Sequence, residues 1–188
     1  MTTPYAYCPV GQPPTSPSPL SPGRLTVAFT SMSGQNDAMA RPWPTLRRGD
    51  KAHPVPTLQY LLRELGEDVP VDGEFGPRTE AAVRAVQGRR KLDADGVAGP
   101  LTWAALTPAR RRGDRGEAVR AVQEEFQFRN LSGDPARAPR IDGVFGPITD
   151  GAVRSFQNGL RADDPAVVVD GIVGPATWRA LIAGRVAF

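Results

Sequence analysis

One eight-residue phrase occurs four times in this chain, and that repetition constrains the fold more than any other feature. It reads DGEFGPRT at 72–79, DGVAGPLT at 95–102, DGVFGPIT at 142–149 and DGIVGPAT at 170–177. The copies come in pairs. TEAAVRAVQ follows the first and TDGAVRSFQ the third, while the second and fourth run into Trp103 with Leu106 and Trp178 with Leu181. An RRGD opener precedes each pair, at 47–50 and 111–114. The chain is therefore one module written twice, with a smaller repeat inside each module, and such repeats decide the architecture before any local reading.

Asp-Gly marks a turn, because the carboxylate can accept from nearby backbone N–H groups and glycine tolerates positive φ. The apolar residues that follow (Phe75, Val97, Val144 with Phe145, Ile172 with Val173) are expected to point into a core. Gly-Pro then opens a helix, since proline at the first helical position has its φ preset and lacks only an N–H that the helix leaves unpaired. Each phrase thus predicts a turn feeding a helix start.

Between the phrases the apolar spacing is helical. Val55, Leu58, Leu61, Leu62 and Leu65 form one stripe, matched in the second module by Val119, Val122 and Phe126, with Gln59 and Gln123 at equivalent places. A second helix carries Ala82, Val83 and Val86 against Ala152, Val153 and Phe156. A short third helix carries Trp103 and Leu106 against Trp178, Leu181 and Ile182. The expectation is an all-α protein of two small orthogonal three-helix bundles in tandem, residues 43–108 and 109–188, after a disordered Pro/Ser-rich tail at 1–42. The modules are expected to fold independently, the first more weakly because Val86 stands where the second has Phe156.

At these residues the chain resembles the peptidoglycan-binding domain family, a compact three-helix module attached to many bacterial wall hydrolases. Gly49-Asp50, Leu58-Gln59, the phrase at 72–79, Ala82-Val83, Gln87 and the run from Asp95 to Leu106 carry the likeness in the first module. Gly113-Asp114, Val122-Gln123, the phrase at 142–149, Ala152-Val153, Phe156-Gln157 and the run from Asp170 to Leu181 carry it in the second. The departures are Val86 and two extra segments in the second module, around 132–140 and 161–168, which are expected to widen surface loops. The resemblance implies recognition of peptidoglycan, both glycan and stem peptide, near the loops and helix starts of the phrase. On that basis Asp72, Gly73, Arg78, Glu80, Asp142, Gly143, Ile148 and Asp150 are the candidate ligand contacts. Phe75, Gly76, Trp103, Phe145, Gly146 and Trp178 are expected to serve the fold.

Composition narrows the alternatives. All but two of the 23 basic residues are arginine, and the net charge is +3. That balance suits anionic wall polymers but is too dispersed for a nucleic-acid face. The cluster Arg110, Arg111, Arg112 and Arg115 reads as a solvated linker between modules. The tail is too poor in apolar residues to fold, and it shows neither a signal-peptide pattern nor a membrane span. A wall address therefore rests on function alone, and a cytoplasmic one stays open.

Catalysis is not expected. Zinc hydrolysis needs several ligands around an open coordination position, yet His53 is the single histidine and reads as a surface residue. Cys8, the single cysteine, lies in the tail, apart from any general base. The acids read as turn aspartates and exposed helix residues rather than a pair flanking a sugar cleft. No metal or cofactor is expected. The expected role is non-catalytic binding of wall peptidoglycan by a monomer whose tandem modules add avidity, with a wall hydrolase as an accompanying partner. The alternative is an adaptor that keeps the fold and binds a protein partner.

Overall fold

The computed structural model describes residues 42–130 and 138–184. The tail with Cys8, and most of the first inserted segment, lie outside the described residues. Six helices follow in order: α1 (Val55–Glu64), α2 (Pro77–Arg89), α3 (Pro100–Leu106), α4 (Glu117–Arg129), α5 (Pro147–Asp163) and α6 (Pro175–Ile182). The protein is all-α, two copies of one three-helix set. Among the described residues, extended pairing is confined to isolated bridges such as Leu46 with Ala98 and its counterpart Arg110 with Val173.

Every phrase opens a helix. Gly76, Gly99, Gly146 and Gly174 sit in extended conformation at the N-cap with a proline in the first turn behind them. The inward residue is the one just before that glycine: Phe75, Ala98, Phe145 and Val173 are all buried. Val97, Val144 and Ile172, expected to point inward too, are only half-buried. Extended backbone turns successive side chains to opposite sides, so one of each adjacent pair must face away from the core. The second inserted segment is also less loop-like than expected, because α5 runs 17 residues against 13 for α2 and takes in 161–163.

Val86 and Phe156 both face inward, as the repeat requires. Phe156 meets Phe126 edge-on at 6.0 Å, a contact that Val86 cannot offer its own module. Trp103 and Trp178 are fully buried, and each indole N–H donates to a backbone carbonyl ahead of its module's opener, Pro44 at 2.8 Å and Pro108 at 2.7 Å. Trp43 stacks on Trp103 from outside.

The repeat-equivalent helices α1 and α4 pack against each other, and the buried apolar residues of both modules form one continuous core. All six helices belong to a single compact unit. Burying a side chain of leucine or phenylalanine size contributes about 1.5–3 kcal/mol. Splitting the chain between modules would expose whatever α1 and α4 hide from water. The packed junction therefore predicts that the two modules unfold together.

Polar groups cross the same junction. Glu125 of α4 is fully buried at the position where the first repeat has Leu61. It accepts hydrogen bonds from Thr57 Oγ1 (2.8 Å) and Arg129 Nη1 (3.0 Å), and both its oxygens lie within 3.1 Å of His53 Nε2. Arg129 also donates to the Leu181 carbonyl and lies 5.6 Å over the Phe156 ring. His53, expected at the surface, is instead part-buried against Glu125 and stacked on Phe128 at 3.7 Å. The acids are likewise not all turn or surface residues.

Glu64, the last residue of α1, supplies what α4 lacks. The α4 N-cap is Gly116, without a capping side chain, and Glu64 Oε2 accepts from Ala118 N at 2.9 Å. Its other oxygen pairs with Arg110, while Arg63 lies 3.3 Å from Glu117. Arg110 is thus part of the junction and not a solvated linker residue.

Removing one partner of a buried ion pair strands the other charge and costs roughly 3–5 kcal/mol. Glu125→Ala should lower stability by about 3 kcal/mol, and chemical denaturation of the full chain should show one transition that shifts as a whole. Two transitions, one of them unmoved by the substitution, would show that the modules unfold separately.

Candidate functional site

The loop ahead of each phrase helix is organised by a glutamine from the preceding helix. Gln59, Gln87, Gln123 and Gln157 are each almost completely buried. Gln123 shows the pattern: its carbonyl accepts from Gly143 N (2.8 Å), and its amide donates to Asp142 Oδ1 (2.8 Å) and the Val144 carbonyl (3.1 Å), with Thr149 Oγ1 at 3.3 Å. Gln59 makes the same set with Asp72, Gly73, Glu74 and Thr79. Gln87 and Gln157 repeat it on the second and fourth phrases. The glycine must take positive φ to present its N–H inward (+75° at Gly143), and a Cβ there would crowd the Arg120 side chain and the Gly116 carbonyl.

The aspartate closes the turn from the other side. Asp72 Oδ1 accepts from Glu74 N at 2.9 Å, Asp95 from Val97 N at 2.9 Å, and Asp142 from Val144 N at 2.8 Å. These backbone N–H groups, and next the glutamine amide, hold the three carboxyls below the usual aspartate range. Asp72, Gly73, Asp142 and Gly143 are therefore occupied inside the loop by bonds that any ligand would have to share.

The remaining candidates are placed differently from one another. Glu80 is paired with Arg84 at 2.9 Å and lies 3.7 Å from Arg48, and Asp150 pairs with Arg154 at 3.0 Å. Ile148 is 71% exposed. Its repeat counterpart Arg78 is exposed without a protein partner among the described residues and lines a cleft of about 530 Å³. The cleft lies at the module junction, shared by Arg63 of α1, the loop 66–70, Arg78 of α2 and Glu117 of α4. Sequence reading missed every lining residue but Arg78, because the cleft exists only where the modules meet. Phe75, Trp103, Phe145 and Trp178 are fully buried, and Gly76 and Gly146 are helix N-caps.

Among the described residues, no cluster of His, Cys, Asp and Glu is arranged to hold a metal ion, and no helix is long and apolar enough to cross a membrane.

With this geometry in view, the family model described as "Putative peptidoglycan binding domain" matches residues 52–106 and 115–181, more than half of the sequence. The chain belongs to this family and carries two of its domains in tandem. It is 28% identical over 172 residues to the N-acetylmuramoyl-L-alanine amidase CwlL of Bacillus licheniformis, covering 75% of this chain and 48% of the amidase. It is 32% identical over 105 residues to the zinc D-Ala-D-Ala carboxypeptidase of Streptomyces albus G, covering 56% of this chain and 37% of that enzyme. Among solved structures, a peptidoglycan-binding protein from Clostridioides difficile in complex with glutamine hydroxamate is 38% identical over 34% of this chain and 40% of its own, with a TM-score of 0.33. The chain spans about half the length of the curated relatives it matches.

The depressed aspartates give a pH signature. A carboxyl whose folded pKa lies below its unfolded value adds stability that is present above the unfolded pKa and is lost as pH falls through the folded one. Acid destabilisation should begin as pH drops below about 4, the unfolded aspartate value, and deepen further down. Asp72→Asn and Asp142→Asn should each flatten that acid limb in melts recorded at stepped pH, with little change in its shape above pH 5. An unaltered limb would show that these turns carry no proton linkage.

Proposed function

We propose that residues 42–184 bind bacterial cell-wall peptidoglycan without cleaving it, as a monomer whose two domains act as one binding body. The observation that carries this reading is the direct α1–α4 packing of two family domains, each with both of its glutamine-tied loops complete. On a repetitive polymer, a second domain held at fixed spacing raises avidity by about 10²–10⁴ with no new contact, provided the spacing matches the lattice. A packed junction keeps that spacing, so little conformational freedom is lost when the second domain engages.

The placement of ionisable groups supports the non-catalytic part. The phrase aspartates are held in their loops, Glu64, Glu67, Glu80, Glu117 and Asp150 are ion-paired, and His53 faces Glu125 beneath Phe128. The amidase and carboxypeptidase relatives extend well beyond the matched region, so a wall hydrolase fits as an accompanying domain or partner. The place of action is then the cell wall or the extracellular face.

The full chain should co-sediment with purified sacculi, and the suspension's turbidity should stay flat for hours with no soluble muropeptides released. Protein left in the supernatant would remove the binding reading. Clearing that survives purification and disappears with one acidic substitution would remove the non-catalytic one.

A further inference from the structure

The junction cleft holds a charge pattern that the peptidoglycan reading alone does not assign. Three of its ionic groups already have ion-pair partners: Arg63 lies 3.3 Å from Glu117, and Glu67 pairs with Arg89. Two others do not. Arg78 and Asp68 are both exposed, and neither has a partner among the described residues. One unpaired cation and one unpaired anion therefore share a cleft with Pro70, which adds apolar surface, and Gly66, which adds no side chain. A simple anion would satisfy only the arginine, and a simple cation only the aspartate. A ligand that satisfies both carries a carboxylate and an ammonium.

Arg78 is well suited to the carboxylate. Its planar guanidinium offers a two-pronged donor. It also sits in the first turn of α2, where the helix field favours negative charge, and the acid of that turn, Glu80, is neutralised by Arg84. The second module has no equivalent, because Ile148 replaces Arg78. The cleft is also incomplete without α4, which supplies Glu117.

We infer that this cleft binds the free zwitterionic end of a peptidoglycan stem peptide, with Arg78 taking its carboxylate and Asp68 its ammonium. Pro70 lies against the aliphatic part of the ligand. This rests on the peptidoglycan reading and adds a selectivity to it. Cross-linking converts the stem-peptide amine into a neutral amide, so the cleft favours strands that are not yet cross-linked or have been cut free.

Calorimetric titration of the full chain tests this with a soluble disaccharide tripeptide bearing a free side-chain amine. Two modified forms serve as arms, one with the amine acetylated and one with the carboxylates amidated. Wild-type protein should bind the unmodified peptide and lose about tenfold in affinity for each modified form, the loss expected for one charge-assisted hydrogen bond at an exposed site. Arg78→Gln should weaken binding of the unmodified peptide about tenfold and no longer distinguish the amidated form. Asp68→Asn should no longer distinguish the acetylated form, and Ile148→Gln should behave as wild type. Arg78 and Asp68 are exposed and without a partner among the described residues, so the fold should survive their substitution. Wild-type affinity in Arg78→Gln and Asp68→Asn, or equal binding of all three peptides, would overturn the inference. If wild type pellets with sacculi but binds none of the peptides, the cleft assignment falls and the peptidoglycan reading stands. If it does not pellet, the peptidoglycan reading falls first.

Discussion

A buried glutamine tying a loop to the helix before it is the interaction on which this architecture depends. A primary amide hidden from water must find partners for both its ends, or desolvation costs on the order of 1–3 kcal/mol. Gln59, Gln87, Gln123 and Gln157 each solve this the same way, through a glycine N–H, an aspartate carboxylate, a backbone carbonyl and a threonine hydroxyl. That arrangement accounts for the whole phrase. Aspartate and glycine face the amide, the next residue offers its carbonyl, the following one fills the core, and Gly-Pro starts a helix whose threonine returns to the same amide. A domain this small has little core to spare, so loops fixed by internal polar bonds supply order that apolar burial alone would not.

The second constraint is the junction. Glu64 from one repeat caps the helix of the other, and Glu125 draws His53 and Thr57 of the first repeat onto α4. Equivalent positions have diverged to make this possible. Where Leu61 buries methyl groups, Glu125 buries a charge that is useful only because partners from the first repeat reach it. The two copies have become complementary, and the same divergence leaves Arg78 facing a cleft while Ile148 faces solvent.

Most of the helical framework was readable from the chain, because the phrases repeat and the stripes between them have helical period. Phe75, Phe145, Trp103 and Trp178 are buried as their spacing required. The reading failed where repeats were treated as separate. A module viewed alone gives no reason for a glutamate in the apolar stripe of α4, yet aligning Gln59 with Gln123 sets Glu125 opposite Leu61 and marks the place where something outside the module must answer a charge. His53 and Arg110 were misread for the same reason. Val97, Val144 and Ile172 were misjudged on a finer scale, since two adjacent apolar residues in extended chain cannot both face inward. Of the candidate contacts, four are tied up in loops, two in ion pairs, and Arg78 alone reaches a cleft. Residue type in a repeated phrase marks what the loop needs, and a ligand contact shows itself only where the copies differ.

Because α1 and α4 are equivalent helices that pack on each other, the contact uses the same face of both repeats. Such pairing is self-complementary: it closes on two copies and leaves no matching face for a third. An open array would need unlike faces to meet head to tail, and further repeats could then be added along a polymer. The two repeats pair in the manner of a two-fold dimer joined into one chain. Lengthening it by another repeat would require a new interface, since the one that unites these two is already occupied.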